Sequence, residues 1–172
     1  MSETKPTGVY EETRFVVDTS GILSRRLNLL DRRLVFPSQV LTEIRRGKLG
    51  SHIDTISTEI MVYDASESSR KYVTEEAATT GDIAVLSETD IAVLAAAYEL
   101  KCGIITDDYA IQNVAGSLNI PYQGSDLKPI SRRVRWIFKC TGCGKTYKSH
   151  RENCEVCGHS VGRISIRKAG KK

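Results

Sequence analysis

Four of the chain's five cysteines fall inside eighteen residues, as Cys140-Thr141-Gly142-Cys143 and Cys154-Glu155-Val156-Cys157. No other feature constrains the fold so tightly. Two such turns on a ten-residue spacer can place four thiolates around one tetrahedral Zn²⁺. No coordination position is left for water, so the site is structural. Gly144 and Gly158 each follow the second cysteine of a pair, where glycine lets the turn close and aims backbone amides at the thiolates. A module of about 40 residues has too little core to fold alone, and the metal supplies the missing free energy. The alternatives are two disulfides or a redox pair. His150 and His159 lie nearby and are not needed as ligands. The first hundred residues contain no cysteine, so a cytosolic, reducing setting fits better than a disulfide scaffold.

Charge divides the chain at the same place. The formal net charge is +4. Residues 1–129 carry 13 Lys+Arg and 19 Asp+Glu, a net of −6, and residues 130–172 carry 12 and 2, a net of +10. An acidic body with a basic end points to a polyanionic partner for the tail, although a merely solvated basic surface has the same composition. At 172 residues the chain fits one domain plus a small module. No apolar run is long enough to span a membrane, and the polar stretch Met1–Glu12 lacks the apolar core of a signal peptide.

The body alternates short apolar runs with helical patterns, which predicts a parallel, three-layer α/β sheet. Phe15-Val16-Val17 reads as a strand covered on both faces, closed by Asp18. Thr19-Ser20-Gly21 then turns into a helix expected to reach about Leu30, with Ser20 as its N-cap. Leu34-Val35-Phe36 is a second strand, and Pro37-Ser38 opens a helix with Val40, Leu41 and Ile44 as its buried stripe. Glu43 beside that stripe either enters the same cavity as Asp18 or pairs with Arg46 or Lys48 on the surface. A short helix over His52–Thr58, a third strand over Glu59–Tyr63 and a polar helix over Glu67–Thr79 follow. Ser87 and Asp90 have the spacing of a capping box at the start of a helix running to Leu100. Ile104-Ile105 reads as a buried strand ending in Thr106-Asp107-Asp108, then a helix through Leu118 and a short strand near Pro121–Gly124. The expected division is a flexible lead-in over 1–13, an α/β domain over 14–125, a linker over 126–134, a zinc ribbon over 135–167 and a basic tail over 168–172.

Asp18, Glu43, Asp90 and Asp107 each have a bland explanation as caps or surface charges, but four separate explanations are then needed. Clustered carboxylates repel unless a hard cation compensates them, and Mg²⁺ or Mn²⁺ prefers oxygen ligands. Such a site polarises a phosphodiester and activates water. No phosphate loop of the Walker type is present, which argues against a nucleotide cofactor.

Val16-Val17-Asp18-Thr19-Ser20, Pro37-Ser38-Gln39-Val40-Leu41-Thr42-Glu43-Ile44, Leu86-Ser87-Glu88-Thr89-Asp90 and Ile105-Thr106-Asp107-Asp108-Tyr109 resemble the four acidic motifs of PIN-domain ribonucleases. With Gln112-Asn113 and the ribbon that follows, the region from about Arg14 to Lys172 is similar to archaeal-type Nob endonucleases. That resemblance implies a PIN-like fold with a central parallel sheet, plus a small all-β zinc ribbon. It implies Asp18, Glu43, Asp90 and Asp107 as catalytic carboxylates, with Asp18, Asp90 and Asp107 on Mg²⁺ or Mn²⁺ and Ser20 and Asp108 as supporting groups. It also implies in-line attack of an activated water on RNA, leaving a 3′-hydroxyl and a 5′-phosphate. The implied substrate is precursor small-subunit rRNA, cut at its 3′ end in a cytoplasmic pre-ribosomal particle with other assembly factors. Candidate RNA contacts are Arg132, Arg133, Arg135, Lys139, Lys145, Lys148 and Arg151, with Trp136, Phe138 or Tyr147 available to stack on a base unless they form the ribbon's core. Rival readings are a non-catalytic RNA-binding assembly factor, a general or toxin-type PIN ribonuclease, and a phosphatase of the haloacid-dehalogenase kind. Ser20 stands where the last would need a second Asp.

Overall fold

The structure is a computed structural model that describes residues 14–24, 26–47, 50–56, 58–131 and 133–166. The lead-in over 1–13, the tail over 168–172 and Arg132 lie outside the described residues. Two sheets organise the chain. Five parallel strands, β1 (Phe15–Val17), β2 (Leu34–Phe36), β3 (Met61–Val62), β4 (Gly103–Ile105) and β5 (Tyr122–Gln123), lie in the order β3-β2-β1-β4-β5. A second, antiparallel sheet has the order β7-β6-β8, from β6 (Arg135–Cys140), β7 (Thr146–Tyr147) and β8 (Val161–Ile166). β2 and β4 are buried at every residue, the signature of strands covered on both faces.

The strand order places the site. From β1 the chain winds outward through β2 to β3, then returns to the other side of β1 for β4 and β5. The winding reverses between β1 and β4, where Val16 pairs with Ile104 and Val17 with Ile105. In open α/β sheets, ligands bind beyond the carboxyl ends of the strands at such a switch point. Asp18 and Thr106-Asp107-Asp108 are the residues that emerge there.

Helices α1 (Thr19–Leu23), α2 (Ser38–Arg45), α3 (Gly50–Ile56), α4 (Glu67–Thr80), α5 (Glu88–Leu100) and α6 (Tyr109–Ser117) connect the strands. α5 is the packing centre, buried from Ile91 through Ala97. Four alanines in that run, Ala92, Ala95, Ala96 and Ala97, let it approach β1 and β4 closely. The expected helix to Leu30 is corrected: α1 ends at Leu23. The Ser24 hydroxyl bonds back to the Gly21 carbonyl at 2.7 Å and accepts from the Arg26 N–H at 3.3 Å. Asn28 and Asp31 then each accept a backbone N–H two residues on, the local turn chemistry that competes with helix. Leu23 and Leu30 are exposed, so no apolar stripe repays a longer helix. The Ser20 cap is corrected too. Asp18 is the N-cap, accepting from the Thr19 N–H, and Ser20 lies inside the first turn. The third strand shrinks to Met61–Val62, both exposed at the sheet edge.

Candidate active site and metal centre

Asp18 is 4% exposed. Its Oδ1 accepts from the Thr19 N–H at 2.7 Å, and its Oδ2 from the hydroxyls of Ser20 at 2.8 Å and Thr106 at 2.9 Å. Burial pushes its carboxyl above the ordinary range, against the pull of those donors. Thr106 is fully buried, and the same hydroxyl that donates to Asp18 accepts from the Asp108 N–H at 3.0 Å. The ends of β1 and β4 are thus joined through one side chain.

Asp90 reaches the site from α5. It forms the capping box expected from its spacing: Ser87 N–H donates to Asp90 Oδ2 at 2.7 Å, and Asp90 N–H to Ser87 Oγ at 3.2 Å. Burial raises its carboxyl, and the negative charges of Asp18 and Asp108 add to the rise against the Ser87 bonds. Asp18 and Asp108 are thus near enough for their charges to act on Asp90. Asp108 is exposed and caps α6, with Oδ1 accepting from Ala110 N–H at 2.6 Å and Ile111 N–H at 3.3 Å.

Asp107 points elsewhere. Its two oxygens accept from Ser125 N–H and Oγ–H, Asp126 N–H and Leu127 N–H, at 2.8–3.2 Å. Burial works to raise this carboxyl, but the donors from Leu127, Ser125 and Asp126 outweigh it and leave it below the ordinary value. Its own N–H donates to Ser20 Oγ at 3.0 Å. Gly124 makes this loop possible, since a Cβ there would sit 2.0 Å from the Leu127 carbonyl and 2.9 Å from Asp107 Oδ1. Glu43 is exposed on α2 and accepts from Thr19 Oγ1 at 2.5 Å, one residue from Asp18. Its partner is the start of α1, not Arg46, and Lys48 lies outside the described residues. Sequence reasoning missed Thr19, Thr106 and the loop over 125–127, because the bonds of Thr19 to Glu43, of Thr106 to Asp18 and of that loop to Asp107 join positions distant in the chain.

The ribbon's four sulfurs lie within 4.8 Å of one another. Cys140 and Cys157 Sγ are 3.4 Å apart, and Cys143 and Cys154 Sγ 3.6 Å. Four Zn–S bonds of about 2.3 Å in a tetrahedron need sulfurs roughly 3.8 Å apart, so small side-chain shifts would let the quartet hold a zinc ion. Amides of Gly142, Cys143 and Val156 point at the sulfurs of Cys140 and Cys154, and Tyr147 Oη lies 3.0 Å from Cys154 Sγ. Phe138 and Tyr147 are buried with Cys140, Cys154 and Val161, so they form the ribbon's core and do not stack on a base. The carboxylates of the cleft form no such compact group among the described residues.

Of the candidate RNA contacts, Arg133, Arg135, Lys139, Lys145, Lys148 and Arg151 are exposed, and Arg135, Lys139 and Lys148 carry none of the pairings that follow. Lys145 and Arg151 both pair with Glu155, at 2.7 and 2.6 Å. Arg133 Nη1 donates to the Gly116 carbonyl at 3.1 Å. One face of Trp136 is covered by the Arg163 guanidinium, 4.2 Å from the ring centroid.

A parallel sheet with buried and rim carboxylates at its switch point, followed by a four-cysteine module, makes this an α/β protein with a small cysteine-rich second unit. The family model described as PIN domain of ribonuclease matches residues 15–100. The chain is 46% identical over 149 residues to Ribonuclease VapC1 of Thermoplasma acidophilum, covering 87% of this chain and 77% of the relative. It is 40% identical over 148 residues to Endoribonuclease Nob1 of Archaeoglobus fulgidus, covering 83% and 86%. It is 35% identical over 160 residues to Endoribonuclease Nob1 of Methanocaldococcus jannaschii, covering 91% and 80%. The chain belongs to the PIN-domain ribonucleases, nucleases that use divalent metals. No helix among the described residues is long and apolar enough to cross a membrane.

Proposed function

We propose that this chain is a Mn²⁺- or Mg²⁺-dependent endoribonuclease that cuts precursor small-subunit rRNA at its 3′ end, in cytoplasmic pre-ribosomal particles and alongside other assembly factors. The observation that carries the reading is the union, in one chain, of the switch-point carboxylates with a basic four-cysteine ribbon, and the likeness to two Nob1 relatives extends over 83% and 91% of this chain.

Within this reading Asp18, Asp90 and Asp108 would hold the cation, with Glu43 beside them. Asp107, assigned to the metal from the sequence, instead holds the loop over 125–127, because its oxygens already have four donors. Ser20, Thr19 and Thr106 fix Asp18 so that its oxygens need no reorganisation when charge develops at the phosphate. A bound Mg²⁺ or Mn²⁺ supplies Lewis acidity and an activated water for in-line attack. The acidic body repels RNA, so Arg135, Lys139 and Lys148 supply salt-dependent affinity.

The test is incubation with RNA spanning the 3′ boundary of mature small-subunit rRNA, with and without Mn²⁺. One cut at that boundary, lost in Asp18→Asn, supports the proposal. Scattered cutting sinks it in favour of a general or toxin-type ribonuclease, the second reading that the VapC1 relative favours.

A further inference from the structure

The segment between the two sheets is expected to be a linker, yet side chains of the β4–α6 stretch grip it at three successive points. Asp107 takes the amides of residues 125–127. Gln112, fully buried, accepts from the Ile130 N–H at 2.8 Å while its Nε2 donates to the Thr106 carbonyl at 2.9 Å. Asn113, 3% exposed, accepts from the Val134 N–H at 2.7 Å and donates to the Val134 carbonyl at 2.7 Å. Both Asn113 bonds read backbone, as a neighbouring strand would. β6 starts at the next residue.

The third grip continues into the ribbon. The second N–H of Asn113 Nδ2 reaches Asp82 Oδ2 at 2.6 Å. Asp82 is 1% exposed and its other oxygen pairs with Arg163 of β8. The Arg163 guanidinium lies over Trp136 of β6, while its Nε is buried with no partner. Gly81, at φ +81°, lets the end of α4 meet β6, since a Cβ there would come 2.7 Å from the Trp136 carbonyl. An ion pair that buries its carboxylate and leaves one N–H unsatisfied is costly. It is a poor way to gain stability and a good way to fix an orientation.

We propose that Asn113, Asp82 and Arg163 are positioning residues that lock the ribbon onto the nuclease domain, so that the exposed cations of β6 and the Asp18 cleft form one rigid RNA surface. Resting on the endoribonuclease reading, the lock then acts as a ruler: RNA held on β6 presents one particular phosphodiester to the cleft. Asp82→Asn tests this without removing any cation that could hold RNA. Arg163→Lys is the companion variant, keeping the charge but not the planar fork.

The measurements use the full zinc-loaded chain. Amide ¹⁵N relaxation reports whether the two sheets tumble together. Mn²⁺-dependent cleavage is mapped on a long structured RNA and timed on a short unstructured oligoribonucleotide. The expected wild type shows one correlation time and one dominant cut. In the variants the ribbon tumbles faster, cuts spread over neighbouring phosphodiesters and KM on the long RNA rises roughly tenfold, as effective concentration falls. The rate on the short oligonucleotide stays within about twofold. Independent tumbling in the wild type overturns the lock. Separate tumbling with an unchanged single cut in the variants overturns the ruler. A wild type that cuts no RNA in Mn²⁺ removes the nuclease reading and the ruler together, while the tumbling still decides the lock.

Discussion

The Thr106 hydroxyl donates to Asp18 Oδ2 at 2.9 Å and accepts from the Asp108 N–H at 3.0 Å, so one buried side chain couples carboxylates that are ninety residues apart in the chain. Thr106→Val keeps the shape and removes both bonds. Asp18 keeps two donors but loses one inside the core, and the Asp108 N–H loses its acceptor. The expected cost is about 1–3 kcal/mol of unfolding free energy by denaturant titration, with slower Mn²⁺-dependent cleavage. Thr106→Ser restores both. A valine variant as stable and active as the parent would show that the coupling is incidental.

Asp107 and Asp108 separate by what they hold. Asp108→Asn removes charge from the cleft beside Asp90, so cleavage should fall by roughly a hundredfold or more with little change in stability. Asp107→Asn loosens the loop over 125–127, so stability should fall and the cutting rate on a short oligoribonucleotide should change much less. Rates and melting curves of both variants decide the assignment, and the reverse ranking would return the metal to Asp107.

That pair marks the limit of what the sequence carries. The Ser87–Asp90 capping box is legible because its partners are three residues apart and backbone geometry brings them together. β1, β2 and β4 are legible as apolar runs closed by polar residues, and the cysteine quartet by spacing alone. Choosing between Asp107 and Asp108 depends on where residues 125–127 pass, which no local pattern encodes. Asp82 looks like a helix-end charge until β8 brings Arg163 to it. α1 was overestimated because Leu27 and Leu30 continue a helical spacing, while Ser24, Asn28 and Asp31 offer the backbone nearer partners.

Glu99 gives the nuclease domain an acid-sensitive joint. Hydrogen bonds from Ser69, Tyr63 and Ser66 hold its carboxyl down to about 2, from an ordinary value of 4.5. The same Tyr63 bond, 2.7 Å long, pushes the tyrosine upward, so both partners report one interaction. The folded value lies below the unfolded one. The contribution is therefore fully present above pH 4.5 and is lost as pH falls from there towards 2. Melting temperature should drop across that window in the wild type and drop less in Glu99→Gln, which starts lower at neutral pH. Equal slopes in the two proteins would show that Glu99 is not the acid-sensitive group.

Tyr147 should set how firmly the ribbon holds zinc in acid. Its hydroxyl bond to Cys154 brings that thiol down to about 6 and raises the phenol to about 12, opposite shifts with one cause. A thiol that titrates lower stays a thiolate, and hence a ligand, to lower pH. Tyr147→Phe keeps the ring in the ribbon's core beside Phe138 and removes only the donor. Zinc affinity in chelator competition should fall about tenfold. The pH at which half the zinc is released should move upward, because protons compete for a more basic sulfur. An unchanged release pH in Tyr147→Phe would mean that the amides of Gly142, Cys143 and Val156 suffice to hold the thiolates ready.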